Sequence, residues 1–141
     1  MQPVVRLTAL RDQPLDVAEV IDAVSDDAAG GVNVFIGKVR DHDHGKSVTR
    51  LEYEAHPTAQ AELERVAAGV AEKYDVRAIA AVHRVGNLEL GDLAVVIAVA
   101  AAHRGEAYEA SRALIDELKA TVPIWKHQHF TDGSDEWVGA C

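Results

Sequence analysis

Apolar residues recur at helical spacing in three stretches of the chain, and they alternate or run continuously between those stretches. In "LDVAEVIDAVSDDAAGG", Val17, Val20, Ile21 and Val24 share one helical face and the Gly30-Gly31 pair supplies a stop. "VNVFIGKVR" (32–40) is rich in β-branched residues and predicts a strand, followed by the polar turn "RDHDHGKS". "VTRLEYEA" alternates, with Leu51, Tyr53 and Ala55 on one face and Arg50, Glu52 and Glu54 on the other, as a half-buried strand requires.

Pro57 suits a first helical position, and Leu63, Val66, Ala67, Val70, Ala71 and Tyr74 form the apolar stripe of a helix over 58–74. "AIAAVHRVG" and "LAVVIAVAA" flank the turn region "NLELGD" and read as neighbouring strands. After "HRGE" a third helix carries Ala107, Tyr108, Ser111, Leu114, Ile115, Leu118 and Val122 inward. It must end by Val122, because proline disfavours helical backbone in the residue before it. "IWKHQHF" and "EWVG" are short strands around "TDGSDE". This order predicts an α+β sandwich, with helices packed on a mixed or antiparallel sheet, in one domain spanning 1–141.

Composition narrows the functions open to such a domain. A net charge of −9 disfavours general nucleic-acid binding unless the cations are gathered in one place. The N-terminus lacks a basic region followed by an apolar core, and the run "LAVVIAVAAA" is too short to span a bilayer, so a cytoplasmic protein without membrane contact is expected. The only cysteine is Cys141, which excludes an intrachain disulfide and a cysteine-based metal cluster.

Three groups of residues have chemical potential. His103 and Arg104 stand where a buried strand hands over to a helix, a place suited to a phosphate or carboxylate. Lys119 shares a helical face with Ile115, and Lys126 follows Trp125 on a short strand; the Val-Pro corner separates the two lysines. Partial burial there would fit Lys126 for proton transfer, although a solvated lysine is the default for each. Lys38 and Arg40 end a strand, and alternation places them on one face. The histidines of "DHDH" (His42, His44) and of "HQH" are weak metal signals, so neither a metal nor a cofactor is assigned.

Four blocks in order, "FIGKVRDHDHGKSVTRLEYEAHPTA", "VHRVGNLELGD", "AAHRGEAYEA" and "LKATVPIWKHQ…DGSDEWVG", resemble the large, catalytic subunit of molybdopterin synthase, the MoaE family, from about Gly31 to Gly139. The resemblance implies an α/β-hammerhead-type fold with extra short strands. It also implies sulfur transfer from the C-terminal thiocarboxylate of a small ubiquitin-like, MoaD-like partner to cyclic pyranopterin monophosphate, making the dithiolene of molybdopterin. Two large subunits would form a homodimer at the centre of a heterotetramer. The family's functional positions fall on Arg40, His103, Arg104, Lys119 and Lys126, with Phe35 and Ile115 lining the pocket. Some members add a charged tail beyond "WVG" that contributes to a neighbouring site; this sequence ends at Cys141 and offers no equivalent.

The physical reading agrees with that chemistry, because both reactants are anionic and an acidic chain needs a local cationic pocket to hold them. Helix geometry adds a constraint. His103 and Lys119 lie on one predicted helix, and at about 1.5 Å per residue they are roughly 24 Å apart. The expected site is therefore composite, with Arg40, Lys119 and Lys126 from one subunit and His103 and Arg104 from its mate. A binding module for ubiquitin-like tails and a metal-dependent hydrolase are the competing readings.

Overall fold

The structure is a computed structural model and describes residues 3–43 and 45–138. Two sheets form its frame. The first has strand order β1 (Val5–Arg11), β5 (Ala78–Arg84), β7 (Leu93–Ala101) and β2 (Gly31–Lys38). β1 runs parallel to β5, while the β5/β7 and β7/β2 pairs are antiparallel, so the sheet is mixed as expected. The second contains β3 (His42–Asp43), β4 (Lys46–Ala55), β8 (Ile124–Phe130) and β9 (Asp135–Val138), with β6 (Gly86–Glu89) also paired to β4.

Continuous apolarity in β5 and β7 follows from burial on both faces. Val95, Ile97, Val99 and Ala101 meet the core under α2 (Ala59–Lys73) and α3 (Arg104–Thr121), and Val96, Ala98 and Ala100 meet the core under α1 (Val17–Ala23). On the α1 side the sheet presents Ala78, Ala80, Ala98 and Ala100 together with Val82 and Val96. The larger core also takes Leu51, Tyr53, Leu88 and Ile124 from the second sheet and so joins the two sheets. No described helix is long and apolar enough to cross a membrane.

α1 ends at Ala23, well before Gly30-Gly31, because Asp26 organises a turn by accepting from the Ala28 N–H at 2.8 Å and pairing with Arg6 at 2.8 Å. Gly30 serves close approach instead: a Cβ there would stand 2.5 Å from the Ala102 carbonyl oxygen. Ile21 and Tyr108, placed inward by periodicity, are exposed. Pro57 precedes the N-cap Thr58 rather than opening α2. β1 was not expected, although Val5, Leu7 and Ala9 alternate with Arg6 and Thr8; all seven of its residues are half-buried. β6 occupies part of the expected turn after β5, drawn into order by pairing with β4. The "EWVG" strand is β9 as far as Val138, and Gly139 lies outside the described residues.

Candidate active site

A cavity of about 440 Å³ opens where the end of β2, the last turns of α3 and the inner face of the β4/β8 pair meet. Phe35, Gly37, Lys38 and Arg40 form its first wall, Ile115, Leu118 and Lys119 the second, and Leu51, Tyr53, Lys126 and Gln128 the third. Asp43 and His83 also line it.

The first wall depends on an irregularity in β2. The register with β7 shifts between Gly37 and Lys38, so that Val39 is buried while Lys38 and Arg40 remain exposed on the cavity side. Strict alternation through Arg40 was expected; the strand in fact stops at Lys38. Gly37 sits in the tightest part of this wall, where a Cβ would stand 2.7 Å from Val95 Cγ1 and 3.5 Å from the Phe35 ring.

The second and third walls are joined by the Val122-Pro123 corner. Val122 caps α3 through its N–H to the Leu118 carbonyl at 3.0 Å, as the proline rule requires. Pro123 then accepts from the His56 N–H at 3.0 Å, which ties the corner to the end of β4. Lys119 is thereby left in the last helical turn, where a cation complements the helix dipole. Lys126 lies half-buried on β8 opposite Tyr53. Both lysines line one cavity, Lys126 half-buried and Lys119 exposed.

The balance of charge in the cavity reverses that of the chain. Among the described residues, Lys38, Arg40, Lys119 and Lys126 face a single carboxylate, Asp43. Asp43 is itself engaged, accepting from Arg40 Nη2 at 3.2 Å and from Gln128 Nε2 at 2.7 Å. His83 adds no charge at neutral pH. Burial pushes its pKa down to about 4, against the hydrogen bond to the Arg84 carbonyl, and the nearby Lys119 ammonium lowers it further. Its ring meets Tyr53 edge-on at 4.8 Å. The sequence presents Asp43 only as part of a weak metal signal and does not mark His83, Tyr53 or Gln128 as site residues; the one hint is His83 closing the apolar run "AIAAV".

His103 and Arg104 are not among the residues around this cavity. They begin α3, with His103 as N-cap, and are exposed at the opposite end of an 18-residue helix from Lys119. Of the weak metal signals, His42 bonds Asp41 at 2.8 Å through Nδ1, and His44 lies outside the described residues. A larger groove of about 630 Å³ runs between α2 and α3, but its lining mixes Arg65, Lys73 and Arg112 with Glu109, Asp116 and Glu117. Arg65 pairs with Glu62 and Arg112 with Asp116 across helical turns, so no single sign of charge converges there.

Fold and cavity together define an α+β protein with a cationic pocket, built between a helix end and a sheet for an anionic reactant. The family model described as "MoaE protein" matches residues 10–121. A relative named molybdopterin synthase catalytic subunit 1, from Mycobacterium tuberculosis, is 46% identical over 97% of this chain and 91% of its own length. The crystal structure of molybdopterin synthase from Staphylococcus aureus superimposes with a TM-score of 0.86 at 34% identity, covering 92% of this chain and 95% of that one. A chain in a complex of subunits 1 and 2 of molybdopterin-converting factor from Helicobacter pylori shares the fold, with a TM-score of 0.72 at 20% identity over 94% and 89% of the two chains. The chain belongs to the MoaE family.

Proposed function

We propose that this chain is the catalytic subunit of a cytoplasmic molybdopterin synthase, acting as one domain over its whole length. It transfers sulfur from the C-terminal thiocarboxylate of a small ubiquitin-like carrier to cyclic pyranopterin monophosphate. The observation that supports this reading most is the convergence of Lys38, Arg40, Lys119 and Lys126 on one cavity in a chain of net charge −9. Anionic reactants are drawn to such a pocket, and low-dielectric walls such as Phe35, Ile115 and Leu118 strengthen each charge interaction inside it.

In the transfer, the thiocarboxylate sulfur forms a bond to a substrate carbon as the C–O bond at that carbon breaks and its oxygen leaves, protonated, as water, giving a thioester between carrier and substrate. Water then adds to the acyl carbon, and the C–S bond breaks to leave a carboxylate on the carrier and the sulfur on the substrate. The tetrahedral intermediate carries an oxyanion that a fixed ammonium stabilises without reorganisation. Lys119 serves the carrier's tail, and Lys126, held by the β4/β8 ladder, supplies electrostatic or proton-transfer help. Arg40, held by Asp43, binds the substrate's anionic group.

His103 and Arg104 enter from a second subunit. Their place at the far end of α3 supports a composite site, in which the helix N-terminus of one subunit supplies anion-binding groups to the cavity of its mate. The assembly is a homodimer of this chain flanked by two carriers. The test is reconstitution: purified chain, thiocarboxylated carrier and cyclic pyranopterin monophosphate should yield the dithiolene. Binding of the carrier without any product would make the chain a binding module instead.

A further inference from the structure

The face of the second sheet that points away from the cavity carries a separate constellation. Alternation along β4 and β8 sends Tyr53, Lys126 and Gln128 to the cavity and leaves Glu52, His127 and His129 on the other side. Glu52 is opposite His127 in the β4/β8 register, and β9 brings Asp135 opposite His129 and Trp137 opposite His127. We propose that Glu52, His127 and His129 form a divalent-metal site of the zinc class that clamps the strand carrying Lys126.

Geometry supports this in three ways. One ligand atom from each of the three residues lies within 4.8 Å of the others. Ligand atoms about 2.0–2.2 Å from a tetrahedral zinc stand roughly 3.3 Å from one another, so small side-chain rotations bring the three donors onto one ion. The histidines are also pre-positioned: the His127 ring stacks on Trp137 at 4.1 Å and 11° and lies 4.2 Å from the His129 ring. Finally, the donor set discriminates. Two imidazoles and a carboxylate suit zinc, whereas magnesium and calcium favour an all-oxygen shell.

Two neighbours complete the description. Asp135 Oδ2 is 2.6 Å from His127 Nε2, and a metal taking that nitrogen displaces the proton shared between them. Arg50 Nη1 donates to Glu52 Oε1 at 3.0 Å, while His129 Nε2 is 3.2 Å from the same oxygen. Arg50 therefore competes with the metal, and its removal should tighten binding. The site lies on the face opposite the cationic cavity, so it stands or falls independently of the sulfur-transfer reading.

The experiment is a zinc titration against a chromophoric chelator, in a Cys141→Ser background that removes the chain's only thiol. One zinc per chain is expected, with at least tenfold weaker binding in His127→Gln/His129→Gln and tighter binding in Arg50→Gln. Saturating zinc should raise the melting temperature of the parent and not of the double variant, since an ion bound only by the folded state stabilises it. If the double variant does not fold, Glu52→Gln should still weaken binding at least tenfold. Equal affinity in parent and folded variants, or no zinc held by the parent, would overturn the proposal.

Discussion

Gln128 donates from Nε2 to Asp43 Oδ2 over 2.7 Å, and the other oxygen of that carboxylate accepts from Arg40 at 3.2 Å. A buried amide in the middle of β8 thus orients, through β3, a cation at the cavity mouth. Gln128→Leu removes a hydrogen bond to a charged group in a largely buried place, a loss of about 1.5–3 kcal/mol. The urea midpoint should fall with an unchanged slope, and turnover should fall with it because Arg40 loses its fixed partner. Unchanged turnover in the folded variant would mean that the Asp43 link does not position Arg40.

His83 gives the chain a specific acid sensitivity. Its pKa is about 4 in the folded chain against an ordinary 6.5, so the unfolded chain takes up the proton first as pH falls. The stability it confers by staying neutral is complete above about pH 6.5 and is lost progressively down to about pH 4. Between pH 7 and pH 4.5 the loss from this one group is about 2–3 kcal/mol. His83→Gln should flatten the stability profile by that amount over the same window, as read by denaturant unfolding at each pH. Parallel profiles for the two proteins would show that the imidazole is not held neutral.

The separation of His103 and Arg104 from Lys119 along α3 leads to a complementation test. If the site is composite, mixed dimers of Lys119→Ala and Arg104→Ala chains contain one cavity with both functions intact, whereas each parent homodimer has none. Hybrids should therefore recover part of the wild-type turnover, measured after confirmed subunit exchange. Absence of recovery would place all functional groups of a site in one subunit.

Much of this arrangement is legible in the sequence, and the remainder is not for identifiable reasons. Periodicity locates α2 and α3 and the two-sided burial of β7, because each buries a face large enough to dictate the pattern. The Val-Pro dipeptide marks the end of α3 because the steric rule is local. β1 and β6 escape, since their order comes from partners distant in sequence, β5 and β4. The cationic residues are visible as residue types, and the resemblance identifies their positions. The resemblance leads one to expect Arg40, Lys119 and Lys126 together, but the β2 register shift and the return of β8 beside β4 that bring them together are not visible in the sequence. Asp43, His83 and Gln128 are harder still, as their roles lie in contacts across the fold rather than in any local motif.

On the proposed function, the cationic cavity performs the sulfur transfer. Dithiolene formation from thiocarboxylated carrier and cyclic pyranopterin monophosphate, measured for wild type, Lys119→Ala and Lys126→Ala alongside carrier affinity, tests it most directly. Loss of a fixed charge-stabilising group is expected to lower turnover by about 10²–10³-fold in each variant that remains folded and binds carrier. Wild-type rates in both variants would contradict the claim.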